Sequence, residues 1–132
     1  MTTKVTEIML NDDARTHKFS LRIKLPSGTA VHTWPIDMVP LDAYDITQIV
    51  AQTDVATSTV DFAIEINSTE VQWTTAAGAD ITATAAGVTD TPSSAFSVDS
   101  GTNKPVDILV DMNTATNSPV WLFVEVFYKV TS

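Results

Sequence analysis

The 132 residues suffice for one packed domain, and an apolar share of 44% is too high for a chain that stays disordered. The absence of cysteine excludes a disulfide scaffold, a thiolate nucleophile and a cysteine zinc site. The net charge of −9 repels phosphate backbones, so we expect no nucleic-acid partner. No apolar run approaches the ~20 residues of a membrane-spanning helix, so we expect no membrane partner either.

Residues branched at Cβ dominate the composition, with 15 Val, 9 Ile and 21 Thr against 6 Leu. Branching at Cβ restricts the first side-chain torsion and suits a residue to a pleated sheet better than to a helix. The usual helix formers are correspondingly scarce. The composition therefore predicts an all-β chain.

The first 17 residues are predicted to form an N-terminal arm or edge strand, ahead of a β-sandwich domain over residues 18–132. The start has no apolar segment of the kind found in signal peptides, so we expect no export by that route. We expect the arm to dock on an acidic partner surface, and the alternative is that Val5 to Leu10 forms a strand of the chain's own sandwich. The residues predicted to make the docking contact are Lys4, Val5, Ile8, Leu10, Arg15 and Lys18.

The first half of the domain carries three strand signals. Apolar residues alternate with polar ones over residues 19–25, which predicts a strand with one wet face. Residues 46–52 could form a helix beginning near Asp42, but their β-branched residues favour a strand. The clearest hairpin has an alternating strand at 60–66 and turns at Asn67-Ser68, where an Asn-Gly pair is usual.

The second half continues with short strands. We expect a strand of small residues at 81–86, a polar loop at 89–94, a short strand at 96–98 and a further strand from Val106. The segment 120–130 is apolar on both faces, which predicts a strand that is covered on both sides. One face is covered by the sandwich, and we expect a neighbouring chain or a loop to cover the other. The residues predicted for this subunit interface are Trp121, Phe123 and Phe127.

Seven to nine short strands separated by turn residues predict an antiparallel β-sandwich, jelly-roll-like in topology. Neither His17 nor His32 stands in a metal-binding or nucleophile-activating pattern, and no phosphate-binding or dinucleotide-binding fingerprint occurs. The segment Asp99–Asn103 faintly resembles a calcium loop, but an ordinary Asp/Gly turn explains it better. We therefore expect no enzyme activity, no metal and no cofactor.

The aromatic residues allow a second interpretation. Trp34, Trp73, Trp121, Tyr44 and Tyr128 could form a platform on which sugar rings stack, although such residues more often anchor a core or an interface. We expect Trp34 and Trp73 to be the stacking residues in that case. Trp73 follows the hairpin turn, so we expect it to be the most exposed of the set.

The hairpin over residues 58–71 resembles a pattern in small β-sandwich virion proteins of tailed bacteriophages, which include capsid decoration (cement) proteins and domains of head fibres and tail fibres. These proteins typically have an alternating strand, an Asn-Gly-Thr turn and a returning strand. Trp34-Pro35, residues 46–50 and residues 124–128 are similar to the same pattern. Ser68 departs from it, since it stands where glycine is usual.

The resemblance implies a non-enzymatic structural protein of the virion, assembled in the cytoplasm of a bacterial host. It implies a homo-oligomer, with a trimer favoured, bound to the major capsid protein or another virion protein. Within the family we favour a capsid decoration protein, because one small domain suits that role better than a long fibre. The alternative is a receptor-binding or carbohydrate-binding module of a tail or head fibre.

Overall fold

The computed structural model describes residues 16–25, 31–54, 60–111 and 120–131. Over these residues the chain forms ten strands and no helix. In chain order, the strands are β1 (Thr16–Leu25), β2 (Val31–Asp37), β3 (Tyr44–Thr53), β4 (Val60–Ile66), β5 (Thr69–Glu70), β6 (Ile81–Ala83), β7 (Val88–Asp90), β8 (Phe96–Val98), β9 (Val106–Asp111) and β10 (Val120–Val130).

The strands form two antiparallel sheets of five strands each. In the first sheet the order is β1-β10-β3-β7, and β8 also pairs with β3. In the second sheet the order is β2-β9-β4-β5, and β6 also pairs with β4. The two sheets share a single apolar core, so the predicted all-β antiparallel sandwich is confirmed.

Several predicted boundaries move. Segment 46–52 is part of β3, so the strand was the right choice over the helix. The predicted polar loop at 89–94 is wrong at its start, since Val88–Asp90 pairs with β3 as β7. β1 begins at Thr16, two residues ahead of the domain boundary expected from the sequence. Among the predicted arm residues, Lys4, Val5, Ile8, Leu10 and Arg15 lie outside the described residues.

The core consists of the inward residues of both sheets. Ile49 and Leu122 of the first sheet and Ile64 and Ile108 of the second are fully buried. Burying one such side chain contributes about 1.5–3 kcal/mol relative to leaving it in water. The alternation seen in the sequence therefore corresponds to real inward and outward faces.

A β-bulge in β3 determines which of its side chains face the core. Phe127 of β10 pairs with Gln48, whereas the next residue of β10, Tyr128, pairs with Ile46. Thr47 is thus the extra residue. Because strand side chains alternate with a period of two, the inserted residue lets Tyr44 and Ile46 face the core together with Ile49 and Ala51. Without it, one of these two pairs would point to solvent.

The carboxylate of Asp90 fixes the loop that precedes β6. Asp90 is only 3% exposed, and its oxygens accept hydrogen bonds from the backbone N–H groups of Thr75 (2.9 Å), Ala76 (2.8 Å) and Thr91 (2.8 Å). Burial alone would raise the pKa of this carboxyl, but the backbone donors outweigh it and hold the pKa below its ordinary value. Asp90, which the sequence analysis placed in a polar loop, therefore holds the segment before β6 in position.

Trp73 is buried, so the expectation that it is the most exposed aromatic is wrong. Its side chain is 1% exposed, because β5 ends after two residues and the chain then turns inward at Val71. The backbone N–H of Trp73 donates to the carbonyl of Gly78 at 2.8 Å, and Trp73 also forms an isolated β-bridge with Pro92. The tryptophan therefore closes one end of the core.

The hairpin between β4 and β5 turns at Asn67-Ser68, as predicted. Both residues have positive φ angles, 49° for Asn67 and 66° for Ser68. A two-residue hairpin turn of this kind matches the twist of its strands and requires this backbone conformation at both positions. Asn tolerates it, whereas Ser adopts it only at a steric cost of about 1–2 kcal/mol.

Replacing Ser68 by glycine should therefore stabilise the fold. The relief of the left-handed strain exceeds the extra flexibility that glycine adds to the unfolded chain, so the Ser68→Gly variant should gain about 0.5–1 kcal/mol in free energy of unfolding. Urea denaturation measures this change. The matched control is Ser68→Ala, which keeps a Cβ and should give no gain. Equal stabilisation by both variants would contradict the explanation from φ.

Candidate functional site

The outer face of the first sheet combines cations with aromatic rings. On β1, the even-numbered residues from Thr16 to Lys24 are exposed and project outward, whereas Ile23 and Leu25 are buried. On β10, Leu122, Val124 and Val126 are buried, so the residues between them project outward too. We call this surface the cationic–aromatic face. Its members used below are Lys18, Arg22, Lys24, Asp45, Asp54, Trp121, Phe123, Glu125, Phe127 and Lys129.

Two cations lie over aromatic rings of the neighbouring strand. Arg22 pairs with Phe123 and Lys24 with Trp121 in the register of β1 and β10. The Arg22 guanidinium carbon is 5.6 Å from the Phe123 ring centroid, and Lys24 Nζ is 5.8 Å from that of Trp121. Both distances fall within the range of a cation–π interaction, about 0.5–1 kcal/mol at an exposed site. The rings are consequently half-buried beneath side chains of their own sheet.

Lys18 also belongs to this face. The sequence predicts it as a residue of the docking arm, but it lies within β1 and its Nζ is 2.6 Å from a carboxylate oxygen of Glu125. Ser20 Oγ lies 3.4 Å from the same oxygen. The hydrogen bond from Lys18 holds the pKa of Glu125 below its ordinary value. Lys18 is therefore engaged within its own sheet.

A second surface lies at one end of the first sheet, where four aromatic rings meet. Tyr128 is the centre of the group: its ring centroid is 4.6 Å from that of Phe19, 4.7 Å from Tyr44 and 5.4 Å from His17. The pairing of β1 with β10 places His17 opposite Tyr128, and the bulge in β3 turns Tyr44 towards them. These rings line an open cleft of about 340 Å³, which we call the aromatic cleft.

Two carboxylates border the aromatic cleft. Tyr44 donates its hydroxyl hydrogen to Asp37 Oδ2 at 3.1 Å, and Asp42 lines the cleft beside it. Burial and then the nearby Asp37 raise the pKa of the Tyr44 phenol. Burial raises the pKa of Tyr128 as well, followed by the charges of Asp37 and Asp42. The rim also carries Leu41, whose side chain is 87% exposed.

The two tryptophans expected to stack on sugars do not form this cleft. Trp73 has no ring face open to a ligand, because it is 1% exposed. Trp34 lies on β2 of the second sheet, is packed against the core, and has its nearest described aromatic neighbour in His32 at 5.3 Å between centroids. Of the aromatic residues considered in the sequence, Tyr44 and Tyr128 are brought together. The sequence did not identify Asp37, because its contact with Tyr44 depends on how the β2–β3 connection folds back.

Over the part of the chain that the structure describes, no three His, Asp or Glu side chains are grouped so that they could hold a metal ion. The segment Asp99–Asn103 forms a turn, with positive φ at Gly101 and Asn103. Its Asp99 carboxylate lies 3.9 Å from Lys104 Nζ. Within the same residues, no helix is long and apolar enough to cross a membrane.

No family model and no curated protein sequence matches this chain. Several solved structures are similar to it. A chain of the capsid asymmetric unit of cyanophage Pam1 is 18% identical, with a TM-score of 0.54 over 89% of this chain and 84% of that one. The N-terminal cellulose-binding domain of β-1,4-glucanase C from Cellulomonas fimi is 13% identical, with a TM-score of 0.44 over 86% and 79%. A chain of the capsid of Helicobacter pylori bacteriophage KHP30 is 16% identical, with a TM-score of 0.42 over 89% and 95%. The likeness to the cyanophage chain shows a shared β-sandwich fold.

The aromatic cleft makes a prediction about pH, because Tyr44 and Tyr128 are the chain's two tyrosines. Their raised pKa values mean that the folded protein keeps both phenols protonated when an unfolded chain, with a tyrosine pKa of about 10, already releases its protons. The stability they contribute is therefore complete below pH ~10 and is lost as the pH rises further.

We expect the near-ultraviolet phenolate absorbance to rise at a pH above the ordinary tyrosine pKa of about 10 and, for the buried Tyr44, only together with alkaline unfolding, which circular dichroism follows in parallel. The Tyr128→Phe variant isolates the signal of Tyr44 and should show the same coincidence. A phenolate midpoint near the ordinary value of about 10, with the fold still intact, would contradict the burial of these phenols.

Proposed function

We propose that this chain is a non-enzymatic structural protein of a bacteriophage virion, and specifically a capsid decoration protein. It binds the head as a homo-oligomer, with a trimer favoured. The cationic–aromatic face serves as its interface with other copies, and the N-terminal arm docks on the major capsid protein. The observation that carries the proposal is that β10 presents aromatic rings on the outer face of its sheet.

The composition of that face supports an interface. An antiparallel sheet at the surface normally has a polar outer side. Here Trp121, Phe123 and Phe127 occupy three of the four outward positions of one strand between 121 and 127, and Arg22 lies over the ring of Phe123. Tryptophan, phenylalanine and arginine are enriched at protein interfaces and dominate their binding energy. The fold shared with a chain of the cyanophage capsid supports a place in the virion.

Removing the outer rings should weaken the association between copies and, with it, the binding of the oligomer to the capsid, because fewer arms then dock together. A Phe123→Ser, Phe127→Ser double variant keeps the inward residues of β10, so it should fold and yet lose at least about tenfold in affinity, because it loses two aromatic anchors. Co-sedimentation with phage heads that lack the decoration protein measures this affinity. The control is Val39→Ser, which removes an exposed apolar side chain away from the face. Binding of the double variant at the level of the control would contradict the proposal.

A second candidate function is carbohydrate binding in the aromatic cleft. Its support is the combination of aromatic rings, which pack against the apolar faces of sugar rings, with the carboxylates of Asp37 and Asp42, which accept hydrogen bonds from hydroxyl groups. It corresponds to the receptor-binding module that the sequence left as the alternative, with the half-buried Tyr128 in place of the tryptophans and the buried Tyr44 packed behind it.

A glycan array tests this candidate. Any glycan that binds should lose most of its signal with Asp42→Asn, because the neutral amide is a weaker hydrogen-bond acceptor. The matched control is Asp45→Asn, since Asp45 lies outside the cleft and accepts a hydrogen bond from Ser97 at 2.6 Å. An array without binders, or equal loss from both variants, would speak against a sugar site in this cleft.

A further inference from the structure

The basic residues are gathered on one face of the molecule. Four of the five Lys and Arg residues that the structure describes project outward from β1 and β10, and the fifth, Lys104, lies in the loop before β9. Among the described residues, three carboxylates share the face or its edge with them: Asp45, Glu125, and Asp54, whose Oδ1 accepts a hydrogen bond from the backbone N–H of Trp121 at 2.8 Å. The face therefore carries a net positive charge on a chain whose overall charge is −9. The four basic residues are Lys18, Arg22, Lys24 and Lys129.

The opposite outer face, on the second sheet, is acidic. Phe62, Ile64 and Ile66 of β4 are buried, as are Val106 and Ile108 of β9, so the residues between them project outward. The outward residues of β4, β5, β6 and β9 whose side chains are described include no Lys or Arg. We call this surface the acidic face. Its carboxylates are Asp61, Glu65, Glu70 and Asp107.

Three of these carboxylates form a row across the sheet. Glu65 lies opposite Glu70 on β5 and opposite Asp107 on β9. Like charges directly opposite one another destabilise a sheet. Next to the row, the half-buried Leu109 gives the acidic face a small apolar centre, and Ala63, its neighbour across the register, is itself buried. This apolar centre beside a row of carboxylates is complementary to Phe123, whose ring lies beneath Arg22 on the outer face of the first sheet.

We propose that the cationic–aromatic face of one copy packs on the acidic face of a second copy of this chain. The proposal rests on the proposed function and names the partner surface of the same interface. The two faces belong to different sheets and point away from each other, so the contact runs head to tail. A head-to-tail contact generates a closed ring where its rotation closes and a filament where it does not.

The size of the faces sets the expected strength. Strands of ten residues, such as β1 and β3, rise about 3.3 Å per residue and lie about 4.8 Å apart, so three of them give a surface of roughly 33 by 14 Å. This is below the ~800 Å² per partner of a standard stable interface. The association should therefore be weak and dependent on concentration. It should also weaken with salt, since exposed charges are screened beyond ~10 Å at 0.1 M.

Charge reversal tests the contact on purified protein. Sedimentation equilibrium at ~0.05 M and ~0.5 M salt should show self-association that salt weakens. Arg22→Glu on one face and Glu65→Lys on the other should each raise the dissociation constant about tenfold or more, because like charges then meet across the contact. The variant that carries both substitutions should return to the wild-type value. The matched controls Lys104→Glu and Asp99→Lys make the same changes of charge in a loop outside both faces, and should associate like the wild type.

Three outcomes would overturn the proposal. The first is a wild-type protein that stays monomeric at low salt. The second is an unchanged association of Glu65→Lys, which would mean that copies meet through their cationic faces instead. The third is a combined variant that stays as weak as the single ones. Co-sedimentation of the wild type with capsids, run in parallel, distinguishes the two proposals. If the protein binds capsids but the charge reversals do not weaken and restore self-association, the head-to-tail contact alone is contradicted. If the charge reversals have these effects but the protein does not bind capsids, the proposed function alone is contradicted.

Discussion

The structure depends on the fact that β10 needs cover on both of its faces. It lies between β1 and β3, so its backbone is hydrogen-bonded along both edges, and its inward residues Leu122, Val124 and Val126 are almost fully buried. The second sheet covers that side. On the other side the rings of Trp121 and Phe123 are shielded in part by side chains of β1. The strand at the centre of the first sheet is thus also the strand that places aromatic rings on the outer surface of that sheet.

The bulge at Thr47 connects the core to the aromatic cleft. It allows Ile49 to stay in the core while Tyr44 turns inward beside Tyr128. One inserted residue therefore serves two purposes, because it keeps the apolar face of β3 continuous and brings two phenols together. The Tyr44–Asp37 hydrogen bond then joins β3 of the first sheet to the end of β2 in the second. Cleft and core are parts of one packing arrangement.

Local signals were enough to predict four strands and one turn, since these features depend on neighbours in sequence. Alternation predicted β1 and β4, β-branched residues predicted β3, an apolar run predicted β10, and the residue types at Asn67-Ser68 predicted the turn. It failed where the decisive contacts are distant in sequence. Asp90 looked like part of a polar loop, because its partners Thr75 and Ala76 lie on another segment. Trp73 looked exposed because nothing local indicates that β5 ends after two residues. The cleft and the two charged faces require the strand order, which periodicity does not contain.

Asp90 also determines how the segment before β6 meets other proteins. The loop exposes Thr74, Thr75 and Ala76, and a small-residue loop at the surface is where proteolytic cleavage usually begins. Its backbone, however, is tied down: Thr74 N–H donates to Thr91, and the next two N–H groups are held by the Asp90 carboxylate. A protease needs an extended, free backbone, so cleavage here requires that these hydrogen bonds break first. One buried carboxylate thus makes an accessible loop a poor protease substrate.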